Sequence, residues 1–373
     1  MRTSQLWIRA GGITIAVAVM VVAALGTGVT SAAALPAMNR QQLAGQRVIY
    51  SYKGLNPPAG LLWLIRHGEA AGVIFFKDNI SSEAQIRSVI KRLNAAEAAG
   101  TNPVHQPLLL MTDQEGGTVR RLPGAPSQSA RQVGQSAHPG AAATAAGTGA
   151  GKNLRGVGMN VNLAPVLDVY RTSGNFIDQF GRSYSRNPAT VATLGADFIK
   201  AQQAAKVAAT AKHFPGLGAA ARSQNTDERP VTLNLSLSTL RATDEKPYPA
   251  AIAAKVKLIM VSWAVYPAFD AHRPAGLAFA VATDEVRKRL GFTGVTVTDA
   301  LEAGALKSFG TAGDRAVRAA GAGMDLILCS SGQVSQGSQA RSALAAAYQS
   351  GRLFSGTFTS AAQRIIALRT SLR

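Results

Sequence analysis

Val295-Thr-Val-Thr-Asp-Ala-Leu-Glu302 is the stretch on which the fold turns. Four residues suited to a buried strand end on a carboxylate, with helix-like stretches before (281–290) and after (312–322). A continuous strand flanked by helices is one unit of a parallel sheet covered on both faces. The same pattern extends in both directions. Further strand candidates are 48–52, 73–76, 108–112, 160–165, 208–213, 258–262 and 326–329, which brings the number to eight. Helical stretches are expected at 83–98, 140–156, 188–205 and 237–254, with two more, 337–350 and 357–371, after the last strand. Eight such units in one chain predict an α/β fold, a (β/α)8 TIM barrel in a single domain, rather than an open sheet.

The bulk numbers agree with one barrel. The chain has 373 residues, 47% hydrophobic and 16% charged, which is material for one large core and too little for two barrels. Residues 1–34 are set apart. Arg2 and Arg9 precede an apolar run over 13–22, and small residues fill 30–34 before Leu35-Pro36. This is the layout of a secretory signal peptide; a retained N-terminal membrane anchor is the alternative. The expected division is therefore leader 1–34 and catalytic barrel 35–373, in a secreted or cell-wall- or membrane-associated protein outside the cytoplasm. Cys329 is the single cysteine, so no internal disulfide forms and no lipid-modified cysteine follows the leader. Its apolar neighbours predict a buried thiol.

The formal charge is +19; the leader holds two arginines and no acid, so residues 35–373 keep +17. Such a charge attracts polyanions. The sequence carries no helix-turn-helix, zinc or RNA-binding motif, which sets nucleic acid aside. For an exported chain, anionic cell-wall polymers or membrane lipids are the expected partners. No cluster of His and carboxylates stands at metal-ligand spacing, and no metal or organic cofactor is expected.

In a barrel the active site forms where strands end and loops begin. Asp113-Gln-Glu-Gly-Gly117 and Arg120-Arg121 follow the third strand, Leu167-Asp168 the fourth, Lys212-His-Phe-Pro-Gly216 the fifth, and Asp299 the seventh. Carboxylates and cations converging on one mouth suit sugar chemistry, which needs an attacking carboxylate, donors for hydroxyls and a proton source.

These runs, with Gly72-Val-Ile-Phe-Phe76, Asn162-Leu-Ala-Pro-Val-Leu-Asp168 and Gly181-Arg-Ser-Tyr184, occur in an order that resembles the N-terminal domain of family 3 glycoside hydrolases. The likeness covers about residues 40–330 and is greatest to the single-domain β-N-acetylglucosaminidases (β-N-acetylhexosaminidases). The resemblance implies a retaining hydrolase of β-linked N-acetylglucosamine in cell-wall glycan, with Asp299 as nucleophile. It implies that Asp113, Arg121, Arg182, Lys212 and His213 bind substrate, and that Asp168 supports the rim. It also implies a monomer that needs no cofactor. No second domain is expected after the eighth unit, which by the resemblance favours the amino-sugar branch over β-glucosidases.

The sequence departs from that family in the loop after Lys-His-Phe-Pro-Gly and at Val261-Ser-Trp263, where relatives often have a His. Single-domain members carry an Asp and a His, two residues apart, in the loop after Lys-His-Phe-Pro-Gly, and the His is the general acid and base. Here the loop 217–230 holds no histidine. Of the other four, His67 and His105 precede strands, His138 lies in an irregular stretch, and only His272 follows a strand. Asp227 and Glu228 are the loop's carboxyls, and Asp227 is the candidate acid, provided its surroundings raise its pKa. Trp263, after the sixth strand, either stacks on a sugar or fills the rim.

Three readings follow: hydrolysis with Asp227 or Glu228 as acid, hydrolysis only of substrates with good leaving groups, or a catalytically impaired barrel that binds glycan without cleaving it. A Schiff-base lysine at Lys212 is a fourth chemistry, poorly matched by its neighbours.

Overall fold

The computed structural model describes residues 35–373, which pack as one unit. The expected leader lies outside the described residues. Eight parallel strands, β1 (Val48–Tyr50), β2 (Gly72–Ile74), β3 (Leu109–Thr112), β4 (Val161–Asn162), β5 (Ala208–Phe214), β6 (Leu258–Val261), β7 (Val295–Thr298) and β8 (Ile327–Leu328), form the sheet. Their spatial order is β7-β6-β5-β4-β3-β2-β1-β8. The ring closes between β7 and β8 by a parallel bridge, Val297 to Leu326, and the Thr298 amide donates to the Leu326 carbonyl at 3.0 Å. The chain is thus the (β/α)8 barrel that its strand pattern predicts.

Side-chain alternation, with both faces covered, explains why strands such as β1, β2 and β6 read as continuously apolar. Ile49, Ile74, Leu109 and Met111 point into the barrel, while Val48, Tyr50, Val73 and Leu110 point out to the helices. Each such side chain, fully buried, stabilises by about 1.5–3 kcal/mol. The outer helices start where the sequence signals it: Ser82 accepts from the Gln85 amide (3.1 Å) to cap Glu83–Ala98, and Thr311 and Asp314 form a capping box for Ala312–Ala322.

The end of the barrel at the strands' N-termini, its floor, is sealed by the last helix, Ser355–Ser371. Ile365, Leu368 and Leu372 join the inner core. Arg369, fully buried, donates to the carbonyls of Pro107 (2.9 Å) and Gln106 (2.6 Å).

The structure differs from the sequence expectation in a few elements. The helix expected over 237–254 is three pieces, Leu237–Thr239, a wide π-type turn Leu240–Asp244, and Tyr248–Ala253. Pro247, which has no amide hydrogen, stands between the last two. Short helices Arg40–Gly45 and Ala59–Arg66 precede β1 and β2, and two hairpins were not anticipated: Gln114–Gly116 with Val119–Arg120, and Val265–Tyr266 with Asp270–Pro274.

Candidate active site

A pocket of about 610 Å³ opens at the C-terminal ends of the strands. Its base is the top inner layer of the barrel: Ile74, Leu163, Met260 and Leu328. Asp113, Arg121, Arg182, Lys212, His213, Asp227 and Asp299, the residues expected from sequence to act in catalysis or substrate binding, line it together.

Lys212 and His213 are consecutive, and in a regular strand they would face opposite sides. The pairing register of β5 on β6 shifts between Ala211 and Phe214, and both side chains line the pocket. Both are nearly inaccessible to solvent. Lys212 Nζ lies 2.8 Å from Asp113 Oδ1 and 2.7 Å from Glu115 Oε1. Arg182 grips the same Glu115 with two hydrogen bonds, Nε to Oε2 at 2.9 Å and Nη2 to Oε1 at 2.8 Å. Burial opposes the Glu115 charge, yet Arg182 and Lys212 together outweigh it and hold its carboxyl far below the usual range. Burial likewise opposes the charges of Lys212 and Arg182, and their acidic partners reverse it and raise both.

His213 is fixed from behind. Its Nδ1 donates to Asp168 Oδ2 at 2.7 Å, while Asp168 Oδ1 accepts the Leu217 amide at 2.7 Å. Asp168 is fully buried and is not part of the pocket wall; it supports the rim, as expected. Nε2 of His213 faces the Arg182 guanidinium at 3.5 Å. Arg121 stands at the other side of Asp113, Nη2 to Oδ2 3.9 Å.

Asp299 follows β7 directly, half-buried, its Oδ1 accepting the Ala300 amide at 2.8 Å. Trp263 Nε1 donates to the Ala300 carbonyl at 2.8 Å, which pins the backbone beside Asp299. Trp263 is wholly buried and packs over Gly276, so it fills the rim rather than offering a face to sugar.

The loop 217–230 brings Asp227 opposite. Its backbone is tied to the segment after Asp299: the Gly304 amide donates to the Asp227 carbonyl (2.7 Å) and the Ala305 amide to Thr226 (3.0 Å). Gly304 allows this approach, since a Cβ there would stand 2.0 Å from the Glu228 carbonyl. Asp227 is exposed to the pocket, yet walled by protein on several sides. That crowding first, and the Asp299 charge second, raise its carboxyl to about 6, against the pull of His213 and Arg182. Glu228 points to the surface and pairs with Arg229 at 3.3 Å. His67, His105, His138 and His272 do not line the pocket.

Among the wall residues without a role in the sequence reading, three stand out. Glu115 is the hub of the cationic cluster. Glu302 lies one turn beyond Asp299 and accepts from Ser330 Oγ (2.8 Å) and Gln336 Nε2 (3.2 Å). Phe180, about half exposed, offers a ring at the rim. For Glu115 the available signal was its place beside Asp113 in an acidic run facing three cations; its direction depends on the hairpin Gln114–Arg120, which the sequence alone did not reveal. Cys329 is buried in the core and its thiol is pushed up by burial.

A TIM barrel whose mouth gathers the carboxylates Asp299 and Asp227 with a cluster of cations has the groups that glycoside hydrolysis uses. The model of the glycosyl hydrolase family 3 N-terminal domain matches residues 47–368, and the chain belongs to that family. It is similar to a secreted glycosyl hydrolase of Arthroderma benhamiae, 48% identical over 329 residues, spanning 88% of this chain and 93% of the relative. It is 33% identical over 275 residues to a beta-hexosaminidase of Xanthomonas oryzae pv. oryzae, spanning 71% of this chain and 78% of the other. Among solved structures it resembles a family 3 beta-N-acetylglucosaminidase from Paenibacillus, with TM-score 0.83 and 33% identity, covering 90% of this chain and 63% of that one. A beta-N-acetylhexosaminidase from Beutenbergia cavernae superposes with TM-score 0.80 at 29% identity, covering 90% of this chain and 99% of the other. The protein is a glycoside hydrolase with a carbohydrate substrate.

Proposed function

We propose that the chain is a retaining β-N-acetylglucosaminidase acting on amino-sugar glycan, with Asp299 as nucleophile and Asp227 as acid and base. The observation that carries this reading is the pairing of two carboxyls in one pocket, one of them raised to about 6. The names of the Xanthomonas, Paenibacillus and Beutenbergia proteins support the amino sugar.

Asp113, Lys212, His213, Arg121 and Arg182 hold the sugar's hydroxyls at the base of the pocket. Asp299 attacks the anomeric carbon while protonated Asp227 gives its proton to the departing oxygen. The glycosyl ester neutralises Asp299, so its repulsion of a charged Asp227 disappears and the Asp227 pKa falls. The same carboxylate is then suited to take a proton from water, and hydrolysis of the ester regenerates Asp299. Acid and base are thus one residue, switched by the charge of its partner.

The test is turnover of aryl β-N-acetylglucosaminide against aryl β-glucoside by wild type, Asp299→Asn and Asp227→Asn. Preference for the amino sugar, abolished by Asp299→Asn, with a fluorinated glycosyl inhibitor labelling Asp299, is the expected result. Glycan affinity without turnover, unchanged by Asp299→Asn, would establish a binding protein instead. We place the protein outside the cytoplasm, after a leader at 1–34, with its +17 charge held by anionic wall polymers. A high-salt wash should release it from cells; retention at every ionic strength contradicts this.

A further inference from the structure

The floor, opposite the pocket, carries a feature that glycoside hydrolysis does not use. Each of the five turns leading into β2 to β6 presents a basic residue at or near the surface: Arg66, His105, Arg155, Lys206, and Lys255 with Lys257. These strands are neighbours in the sheet, so the residues form a continuous arc around the floor. The turns before β4, β5 and β6 (155–160, 204–207 and 253–257) contain no acidic residue. Gln203 ties two of them together, donating from Nε2 to the Lys255 carbonyl at 3.0 Å and accepting from the Lys257 amide at 3.1 Å.

Basic residues at helix ends also answer the helix dipole, but backbone geometry separates these lysines from that role. Lys206 and Lys255 follow their helices with φ of 60° and 61°, the left-handed position that normally takes glycine. In the equivalent floor turns the chain does use glycine: Gly68, Gly158, Gly291 and Gly323, all with positive φ. The three non-glycine residues with positive φ among those described are His105, Lys206 and Lys255, all basic and all on the floor. A left-handed non-glycine residue is held against a conformational penalty, and nothing in the packing of the two lysines requires a side chain there, since both are exposed.

We infer that the floor is a docking face for an anionic bilayer surface, which turns the catalytic mouth away from the membrane. The cations are spread around one end of the barrel rather than along a groove that would follow a single polymer. Trp63, about half exposed beside Arg66 and stacked on His67 with 3.9 Å between ring centroids, adds an aromatic of the kind that sits at bilayer interfaces. The chain also enters the barrel at this end: the helix Arg40–Gly45 leads into β1, Gln42 donating to the His67 carbonyl (3.0 Å) and Gln46 to Gly68 (2.8 Å). The apolar run 13–22 precedes that entry in the sequence.

The test is co-sedimentation of the full chain with phosphatidylcholine vesicles, with and without phosphatidylglycerol, scored as the ratio of the two; comparing that ratio between wild type and variant holds the leader's contribution, Arg2 and Arg9 included, constant. Wild type favours the anionic vesicles. Lys206→Gly with Lys255→Gly lowers the ratio on the order of 30-fold, about five-fold per base. The same variant keeps its turnover of small aryl glycosides and its thermal stability, because glycine suits both positions. An unchanged ratio in the variant overturns the proposal. So does a wild-type ratio near one, including the case where the protein is retained on a soluble glycerol-phosphate polymer, which would make that polymer the partner of this face.

Discussion

Replacing Asp227 by Asn tests the proton-donating half of the mechanism. With its carboxyl at about 6, Asp227 is half protonated at pH 6 in the free enzyme. An unperturbed aspartate would be protonated to roughly 1% at that pH. The surroundings of the loop therefore multiply the competent acid by a factor of tens. The kcat/KM profile of wild type should fall on its alkaline side with an apparent pKa near 6, a property of the Asp227–Asp299 pair rather than of one residue. Asp227→Asn should remove that limb and lower kcat by about 10²–10⁴-fold on glycosides with poor leaving groups. Dinitrophenyl glycosides, which leave without help, should lose far less. Added azide should restore turnover of the activated substrate and yield a glycosyl azide. The reasoning is refuted if Asp227→Asn keeps both the limb and the rate; loss of the limb on replacing His213 alone would move the acid to that histidine.

Other expectations follow from the pocket and its supports. Glu115→Gln leaves Lys212 and Arg182 buried with one compensating charge removed, and should destabilise by about 3–5 kcal/mol in urea unfolding while raising KM. Because the Glu115 pKa lies below its unfolded value, its contribution is complete above about pH 4.3 and disappears only as pH falls into the strongly acid range, so the variant's deficit should shrink there. Trp263→Ala removes a wholly buried ring and should cost about 3–5 kcal/mol, with kcat falling as the backbone beside Asp299 loosens; Trp263→Phe should recover most of the stability but not the hydrogen bond to Ala300. Phe180→Ala should raise KM with little change in Tm, since the ring is exposed at the pocket rim and packs little; a large fall in Tm would show that it is structural.

The barrel was legible because its strands announce themselves twice. Val295–Thr298 and its seven counterparts are buried on both faces, and four of the eight, β3, β4, β5 and β7, carry or are followed by polar residues that line or support the mouth. The candidate site was legible for the same reason, since strand ends fix which residues meet. What sequence could not supply was direction. Glu115 and Asp113 are two apart, yet only the hairpin after β3 makes both reach Lys212. Asp227 and Glu228 are adjacent and chemically alike, and the tie between Asp227 and Gly304 determines which of them faces the pocket. Trp263 fits either a sugar platform or rim packing by sequence alone, and its contacts with Gly276 and Ala300 make it rim packing.

The sealing of the floor by Ser355–Ser371 has a consequence for the order in which the chain matures. Ile365, Leu368 and Leu372 are the final contribution to the inner core, and Arg369 satisfies carbonyls just before β3, more than 250 positions earlier in sequence. A ribosome-bound chain still missing these residues has a barrel whose interior is open to water at one end. Closure of the inner core therefore waits on the helix Ser355–Ser371 to emerge from the ribosome.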